Sequence, residues 1–204
     1  LKKGLPNLEK QIENITTYGI PVVVAINRFS TDSDGEVQMI REAGMRAGAH
    51  AVVVSEAFIR GGEGCREMAE AIADAASQPS QFAHLYPLNY SIREKIEIIG
   101  RRIYGAGNII YTPVALKQIQ KFTEMGFGRL PVCMAKTPLS LSHDPELKGR
   151  PTGYDLPIRE VGLFAGAGFV YVLLGEIMTM PGLPKLPGGM KVDIDPDGKI
   201  HGLF

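Results

Sequence analysis

The sequence predicts an α/β protein in which a parallel sheet with helical crossovers is followed by a small mixed α/β domain rich in proline and glycine. Residues 21–26 (PVVVAI) and 51–54 (AVVV) are β-branched, apolar runs without polar alternation, as in strands buried on both faces. Each run is followed by a loop and a helical pattern, which is the order of βαβ units. Beyond Lys136 proline and glycine become frequent, and this change predicts the second domain.

Helical and strand patterns alternate in the first part of the chain. Leu8, Ile12 and Ile15 recur at the spacing of one helical face, and Gly19 is placed to end that helix. Residues 31–34 supply capping oxygens for the next helix. The elements predicted here are a helix over 7–18, a strand over 21–26, a helix ending near Gly48, a strand over 51–54, a loop over 57–64 and a helix striped by Met68, Ala69, Ile72 and Ala76.

Start signals define the helices that follow. Ser91 and Glu94 form a capping-box pattern, and Thr112 with Pro113 is the typical pair of an N-cap and a first helical residue. The remaining predicted elements are a helix from Ser91 to Gly105, a helix from Thr112 to Gly126 with Val114, Leu116, Ile119 and Phe122 facing inward, strands over 130–135, 156–163 and 169–174, and a turn at Asp197-Gly198. We expect a boundary near residue 136, between domains 1–136 and 137–204.

Composition excludes several classes of function. The chain has 204 residues, and 22 Lys and Arg residues balance 22 Asp and Glu residues, so we expect neither a nucleic-acid partner nor a membrane partner. No apolar run approaches the ~20 residues that span a bilayer. The two cysteines and four histidines lack the spacing of metal ligands or of a thiol dyad; no metal site is predicted, and a reducing compartment, by default the cytoplasm, is indicated. Because the chain begins with Leu1 rather than Met, we expect a piece of a longer protein.

Two phenylalanines follow the two buried strands. Phe29 and Phe58 lie in the loops after residues 21–26 and 51–54, where ligands of open α/β sheets bind. Two rings carried by neighbouring strand ends could clamp a flat heterocycle, each stack adding ~0.5–1.5 kcal/mol beyond the burial of area. The alternative is that both rings plug the edge of the sheet.

The segment that begins at Asn27 resembles, with departures, the N-K-x-D base-recognition loop of P-loop GTPases. Asp32 comes two residues late and Arg28 replaces the lysine, so what remains is an indication of a nucleotide-binding sheet. No phosphate loop of the form G-x-x-x-x-G-K-[ST] occurs in the sequence. Residues 61–64 (GGEG) lack the lysine and the hydroxyl, and they form either a plain turn before a helix or a set of backbone donors for an anion.

Polar residues also follow the predicted strand over 130–135. They are Lys136, Thr137, Ser140, Ser142 and His143. These side chains either donate hydrogen bonds to an anionic ligand or belong to a solvated loop.

Several long strings resemble one known family. They are PVVVAINRFSTD, SEAFIRGGEG, YGAGNIIYTPVA, GFGRLPVCMAKTPLSLSHDP, GEIMTMPGLPKLPGG and DGKIHGLF. Together they resemble the carboxyl-terminal part of formate tetrahydrofolate ligase, also called 10-formyltetrahydrofolate synthetase, over residues 7–204. The resemblance implies that residues 1–136 form the P-loop NTPase-like second domain of this family and that this domain binds folate. A small carboxyl-terminal domain with β-strands would follow it.

The resemblance also implies a reaction. In that family formate attacks the γ-phosphate of MgATP to give formyl phosphate, and N10 of tetrahydrofolate then takes the formyl group. The implied cofactors are ATP, Mg²⁺ and a monovalent cation, K⁺ or NH₄⁺. The implied partners are an amino-terminal P-loop segment of the same enzyme and further copies of the protein in a homotetramer.

The family's pterin-binding residues match five positions of this chain. Phe29 and Phe58 correspond to the two aromatic residues that sandwich the pterin, Val54 would line the same pocket, and Asn27 and Ser30 would lie near its polar rim. The second aromatic position is commonly Trp in relatives, so Phe58 offers a smaller stacking face and no indole N–H. The catalytic residues remain unassigned.

Two other functions stay open from the residues alone. A segment without a phosphate loop could serve as a non-catalytic folate-binding or assembly module. A P-loop GTPase-like domain that binds guanine nucleotide is the weaker possibility.

Overall fold

The computed structural model describes residues 1–177 and 185–202, and in these residues it contains six α-helices and eight strands. The helices are α1 (Leu5–Thr16), α2 (Asp34–Arg46), α3 (Ala57–Arg60), α4 (Arg66–Ser77), α5 (Ile92–Ile98) and α6 (Pro113–Glu124). The strands are β1 (Val23–Asn27), β2 (Ala51–Ser55), β3 (Asn108–Tyr111), β4 (Val132–Ala135), β5 (Asp155–Phe164), β6 (Phe169–Leu174), β7 (Asp193–Ile194) and β8 (Ile200–His201). The predicted α/β class is therefore confirmed.

Strands β1 and β2 form a two-stranded parallel sheet, as the sequence predicts. Gly44 lets α2 pack closely on β2, because a Cβ atom at this position would lie 2.7 Å from Cγ2 of Val52. The buried core of this half contains Ile12, Val22, Ile26, Val37, Ala49 and Val52. Helix α1 begins two residues earlier than predicted, with Pro6 in its first turn, where a proline needs no hydrogen-bond partner.

The second sheet has four strands in the order β3-β5-β6-β4. β3 and β5 are parallel, β5 and β6 are antiparallel, and β4 and β6 are parallel. Its main core is formed by Ile92, Ile96, Ala106, Ala115, Val132, Leu156, Ile158, Val161, Val170, Val172 and Leu174. Strands β4, β5 and β6 are predicted from the sequence, whereas β3 is missed.

Two hydroxyl groups cover the outer edge of β4. The hydroxyl of Tyr86 accepts a hydrogen bond from the backbone N–H of Val132 at 3.1 Å, and the hydroxyl of Tyr104 donates to the carbonyl of Met134 at 3.4 Å. Burial raises the pKa of Tyr104 to about 12, so this donor stays protonated at neutral pH. The side chains thus occupy backbone groups that an edge strand otherwise leaves unpaired.

Two expectations about local structure are wrong. The loop predicted over 57–64 forms the single turn of α3 and a 3-10 turn, Gly61–Cys65. Val114 and Leu116, which the pattern places inward, are 51% and 43% exposed. Ala115 is fully buried instead, because the stripe that faces the sheet begins one residue later than the apolar pattern indicates.

The four-stranded sheet joins strands from both sides of residue 136, since β4 pairs with β6 and β3 pairs with β5. The division into domains 1–136 and 137–204 stays a prediction. Within residues 185–202, β7 and β8 form a short hairpin, with the predicted turn closed by a hydrogen bond from the N–H of Gly198 to the carbonyl of Asp195 at 2.9 Å. In the ranges 1–177 and 185–202, no helix has the length and apolarity needed to cross a membrane.

One lysine is buried inside the second half. Lys95 on α5 is fully buried, and its Nζ donates to the carbonyls of Gly128 at 2.9 Å and Leu130 at 3.0 Å. Burial lowers the pKa of this ammonium group. Lys95 therefore ties α5 to the turn that leads into β4.

We predict that Lys95→Ala lowers the free energy of unfolding by about 2–4 kcal/mol, because it leaves two carbonyls without a donor and opens a cavity. Urea unfolding would measure this change. Lys117→Ala is the matched control, since Lys117 is exposed on α6, and it should change stability by less than about 0.5 kcal/mol. Equal stability of the two variants would contradict the prediction.

Candidate functional site

The parallel register brings the carboxyl ends of β1 and β2 to the same level. Asn27 lies opposite Ser55, and the N–H of Arg28 donates to the carbonyl of Ser55 at 3.0 Å. The loops after both strands therefore leave the sheet side by side, at the edge where ligands of parallel sheets bind.

The loop that carries Phe29 is closed by Asp32. The N–H of Phe29 donates to Oδ2 of Asp32 at 2.8 Å, and the N–H of Asp32 donates to the carbonyl of Phe29 at 3.0 Å. Arg28 forms an ion pair with Asp34 in the first turn of α2, with 2.6 Å between Nη2 and Oδ1. These contacts hold the backbone while the Phe29 ring is 64% exposed.

Helix α2 starts from a capping box next to this loop. Glu36 donates its N–H to Oγ of Ser33 at 3.3 Å, and its Oε2 accepts the N–H of Ser33 at 3.1 Å. The hydrogen bonds from Ser33 lower the pKa of Glu36, since they favour its charged form. The start of α2 is thus fixed immediately after the Phe29 loop.

The loop that carries Phe58 is a single helical turn, α3. Phe58 is 94% exposed and its neighbour Ile59 is also exposed. Neither Phe58 nor Phe29 stacks on another aromatic ring within the described part of the chain. Exposure of this size disagrees with the alternative in which the two rings plug the edge of the sheet.

All five predicted folate-binding residues lie at this edge. Asn27, Phe29 and Ser30 belong to β1 and its loop, and all three are exposed; Val54 and Phe58 belong to β2 and its loop. Val54 is half-buried and lines a cleft of about 280 Å³. The structure thus brings the five residues to one edge of the sheet, and their role in binding stays a prediction.

Most of the other residues that line that cleft are charged, which the sequence reasoning missed. Besides Val54 and Gly64, the lining consists of Glu56, Arg60, Glu63, Arg66, Glu67 and Glu70, and it includes neither Phe29 nor Phe58. Arg60 pairs with Glu56 at 3.2 Å, and Arg66 pairs with Glu70 at 3.2 Å. The i,i+4 spacing of both pairs is visible in the sequence and could have indicated a charged face beside the candidate site.

Three of the polar residues after β4, Lys136, Ser140 and Ser142, use their hydrogen-bonding groups within the chain. The ammonium group of Lys136 donates to the carbonyls of Thr137 and Ser140, and burial lowers its pKa. Ser140 and Ser142 are buried, and their hydroxyl groups lie 2.9 Å apart. Lys136, Ser140 and Ser142 are therefore neither solvated nor free donors, whereas Nδ1 of His143 is buried without a hydrogen-bond partner in the described residues.

The described ranges contain no group of three or more His, Cys, Asp or Glu side chains that could hold a metal ion.

Comparison with known proteins identifies the relatives of this chain. A sequence model of formate–tetrahydrofolate ligase matches residues 1–204. The chain belongs to the formate–tetrahydrofolate ligase family.

Individual relatives agree with this assignment. The formate–tetrahydrofolate ligase of Roseiflexus sp. (strain RS-1) is 50% identical over 200 residues, which cover 98% of this chain and 36% of the relative. The mitochondrial C-1-tetrahydrofolate synthase of Saccharomyces cerevisiae is 50% identical over 202 residues, covering 99% of this chain and 21% of the relative. The cytoplasmic C-1-tetrahydrofolate synthase of Saccharomyces cerevisiae is 48% identical over 204 residues, which cover 100% of this chain and 22% of the relative. The chain therefore spans only part of the ligase-family proteins that it matches.

The geometry of the Phe29 loop generates a prediction about Asp32. We expect Asp32→Ala to speed hydrogen exchange at the Phe29 amide about fivefold, because a hydrogen bond worth about 1 kcal/mol is lost. Asp32→Asn keeps an acceptor oxygen and should stay within about twofold of the parent chain. Amide exchange followed by NMR would measure both variants, and equal rates in the two would contradict the assigned role of the side chain.

Proposed function

We propose that this chain is the folate-binding and carboxyl-terminal part of an ATP-dependent formate–tetrahydrofolate ligase. The observation that carries the proposal is the exposure of Phe29 and Phe58 at the carboxyl ends of adjacent parallel strands, in a chain that matches this family over its whole length. Exposed aromatic faces in such a position are suited to a flat pterin ring.

The proposed reaction has two steps. A formate oxygen attacks the γ-phosphorus of ATP, the bond to the ADP oxygen breaks, and formyl phosphate forms. N10 of tetrahydrofolate then attacks the formyl carbon, the carbon–oxygen bond to phosphate breaks, the nitrogen loses its proton, and 10-formyltetrahydrofolate and phosphate leave. In this scheme Phe29 and Phe58 stack on the pterin, Val54 forms a wall, and Asn27 and Ser30 offer polar groups at the rim.

We assign ATP and Mg²⁺ to the amino-terminal portion of the enzyme, because the sequence of this chain contains no phosphate loop. A monovalent cation, K⁺ or NH₄⁺, belongs to the proposal through the family resemblance alone. The proposed location is the cytoplasm. The zero net charge of the chain supports the expectation of no nucleic-acid or membrane partner.

The small size of the β1–β2 sheet supports the proposal that a partner segment adds further strands to it. Parallel sheets are normally covered and larger than two strands, yet the outer edges of β1 and β2 have no strand partner in residues 1–177 and 185–202. An apolar cleft of about 370 Å³ lies beside β1, lined in part by Ile20, Val23 and Ile72. We propose that the amino-terminal P-loop portion adds strands here, which gives the P-loop NTPase-like domain, and that the complete enzyme is a homotetramer.

We predict that Phe29→Ala raises the Kd of this chain for tetrahydrofolate about tenfold, because a stacking face and its buried area are lost. Isothermal titration would measure the Kd. Phe164→Ala is the matched control, since Phe164 is 48% exposed but lies at the β5–β6 turn, where it contacts Phe169 and Tyr171. An equal loss of affinity in both variants would exclude the assigned site.

Phe58→Trp should have the opposite effect. The larger indole face should lower the Kd for tetrahydrofolate about two- to fivefold. The chain contains no tryptophan, so the introduced indole is also the only tryptophan fluorophore, and its emission should respond to folate in proportion to binding. An indole whose emission and affinity ignore folate would contradict the placement of Phe58 in the site.

We expect the complete activity to require the part of the ligase-family proteins that this chain does not span. When the chain is joined to the amino-terminal portion of the Roseiflexus ligase, we expect 10-formyltetrahydrofolate to form in a reaction that depends on both ATP and formate. The same portion joined to its own carboxyl-terminal part is the positive control. If only the control is active while the present chain still binds folate, the alternative of a non-catalytic folate-binding or assembly module replaces the proposal.

A further inference from the structure

The loop that carries Phe58 closes on itself at its base. The N–H of Glu56 donates to the carbonyl of Gly64 at 3.0 Å. One residue further out on each side, Oγ of Ser55 lies 3.8 Å from Sγ of Cys65. Two contacts between consecutive pairs therefore fasten the two ends of the loop, and Phe58 lies on the turn between them.

The carbonyl group of Glu56 is the acceptor on which the turn is built. It accepts hydrogen bonds from the N–H groups of Ile59 at 3.0 Å and Arg60 at 2.9 Å. The carboxylate of the same residue pairs with the Arg60 guanidinium at 3.2 Å. The orientation of the Glu56 peptide group consequently sets the orientation of α3 and of the Phe58 side chain that α3 carries.

Gly64 touches this peptide group directly. A Cβ atom at Gly64 would lie 2.5 Å from the carbonyl oxygen of Glu56, 2.6 Å from its carbonyl carbon and 3.1 Å from the N atom of Ala57. Backbone atoms cannot turn away as the end of a flexible side chain can. Any side chain at Gly64 must therefore displace the acceptor on which the turn depends.

Gly62 offers a matched comparison in the same loop. A Cβ atom there has no heavy atom within 4 Å, and neither Gly62 nor Gly64 has a positive φ. Substitution of either glycine by alanine thus changes the freedom of the unfolded chain in a similar way. The two substitutions differ in whether the new methyl group meets the peptide of Glu56.

We infer that Gly64 is a positioning residue for folate binding, which acts through the peptide group of Glu56 to hold the Phe58 ring over its ligand. The inference rests on the proposed function, because it needs Phe58 to contact folate. It assigns to the GGEG segment a role in backbone packing, and this role requires no bound anion.

A double-mutant cycle tests the inference in the present chain with tetrahydrofolate as the probe. We expect Gly64→Ala to raise the Kd about three- to tenfold, as Phe58→Ala does, because the stacking face is misplaced. Gly62→Ala should stay within about twofold of the parent chain. When Phe58 is already alanine, adding Gly64→Ala should change the Kd by less than about twofold, since residues that act through one another are not additive.

Two results of the cycle would overturn the inference. One is a Gly64→Ala Kd equal to that of Gly62→Ala. The other is an equal effect of Gly64→Ala with and without the Phe58 ring, which would place its action elsewhere. Circular dichroism and the unfolding midpoint of each variant separate loss of binding from loss of fold, and a Gly64→Ala chain that fails to fold also overturns a purely local role.

A second measurement needs no folate. In the Phe58→Trp chain, acrylamide quenching of the only tryptophan should change when Gly64→Ala is added and remain unchanged when Gly62→Ala is added. If the parent chain binds no tetrahydrofolate, the proposed function fails, and the quenching experiment still decides whether Gly64 controls the position of the side chain at residue 58. If neither Gly64→Ala nor Gly62→Ala changes the quenching of the Phe58→Trp chain, that result alone overturns the inference.

Discussion

The parallel register of β1 and β2 is the constraint on which the candidate site depends. Ile26 is buried and pairs with Val54, while Asn27 is exposed and pairs with Ser55. A slip of one residue in β1 would turn Asn27 into the core and Ile26 out of it, so burial opposes that slip. Because both strands end at the same level, their loops begin side by side, and Phe29 and Phe58 come to one edge of the sheet.

The two aromatic loops are held by different kinds of contact. A side chain, Asp32, closes the first loop, and an ion pair and a capping box anchor it to α2. In the second loop the backbone packs on itself, with Gly64 against the peptide of Glu56. The first loop therefore tolerates change wherever an acceptor oxygen remains, whereas the second depends on the absence of a side chain at one position.

Local signals in the sequence predicted the helices and the buried strands, because capping residues and β-branched runs act over a few neighbouring residues. Strand β3 was missed because its four residues lie between two helices, and only their pairing with β5 defines them as a strand. The burial of Ala115 in place of Leu116 depends on how α6 packs on the sheet. For the site, the ends of the predicted strands indicated where Phe29 and Phe58 lie. The exposure of the two rings depends on which surfaces the rest of the fold covers, and a local sequence pattern does not contain that information.

The two sheets differ in how far this chain completes them, and the candidate site lies on the less complete one. The four-stranded sheet has a large buried core, and tyrosine hydroxyls cover the outer edge of β4. The two-stranded sheet has a smaller core, and both its outer edges are open to further strands in the described residues. In the proposed function, a ligand held by Phe29 and Phe58 would stabilise the register of β1 and β2, and an added strand beside β1 would stabilise the same register. By linkage, folate binding and docking of the amino-terminal portion should strengthen each other, because both act on this one pair of strands.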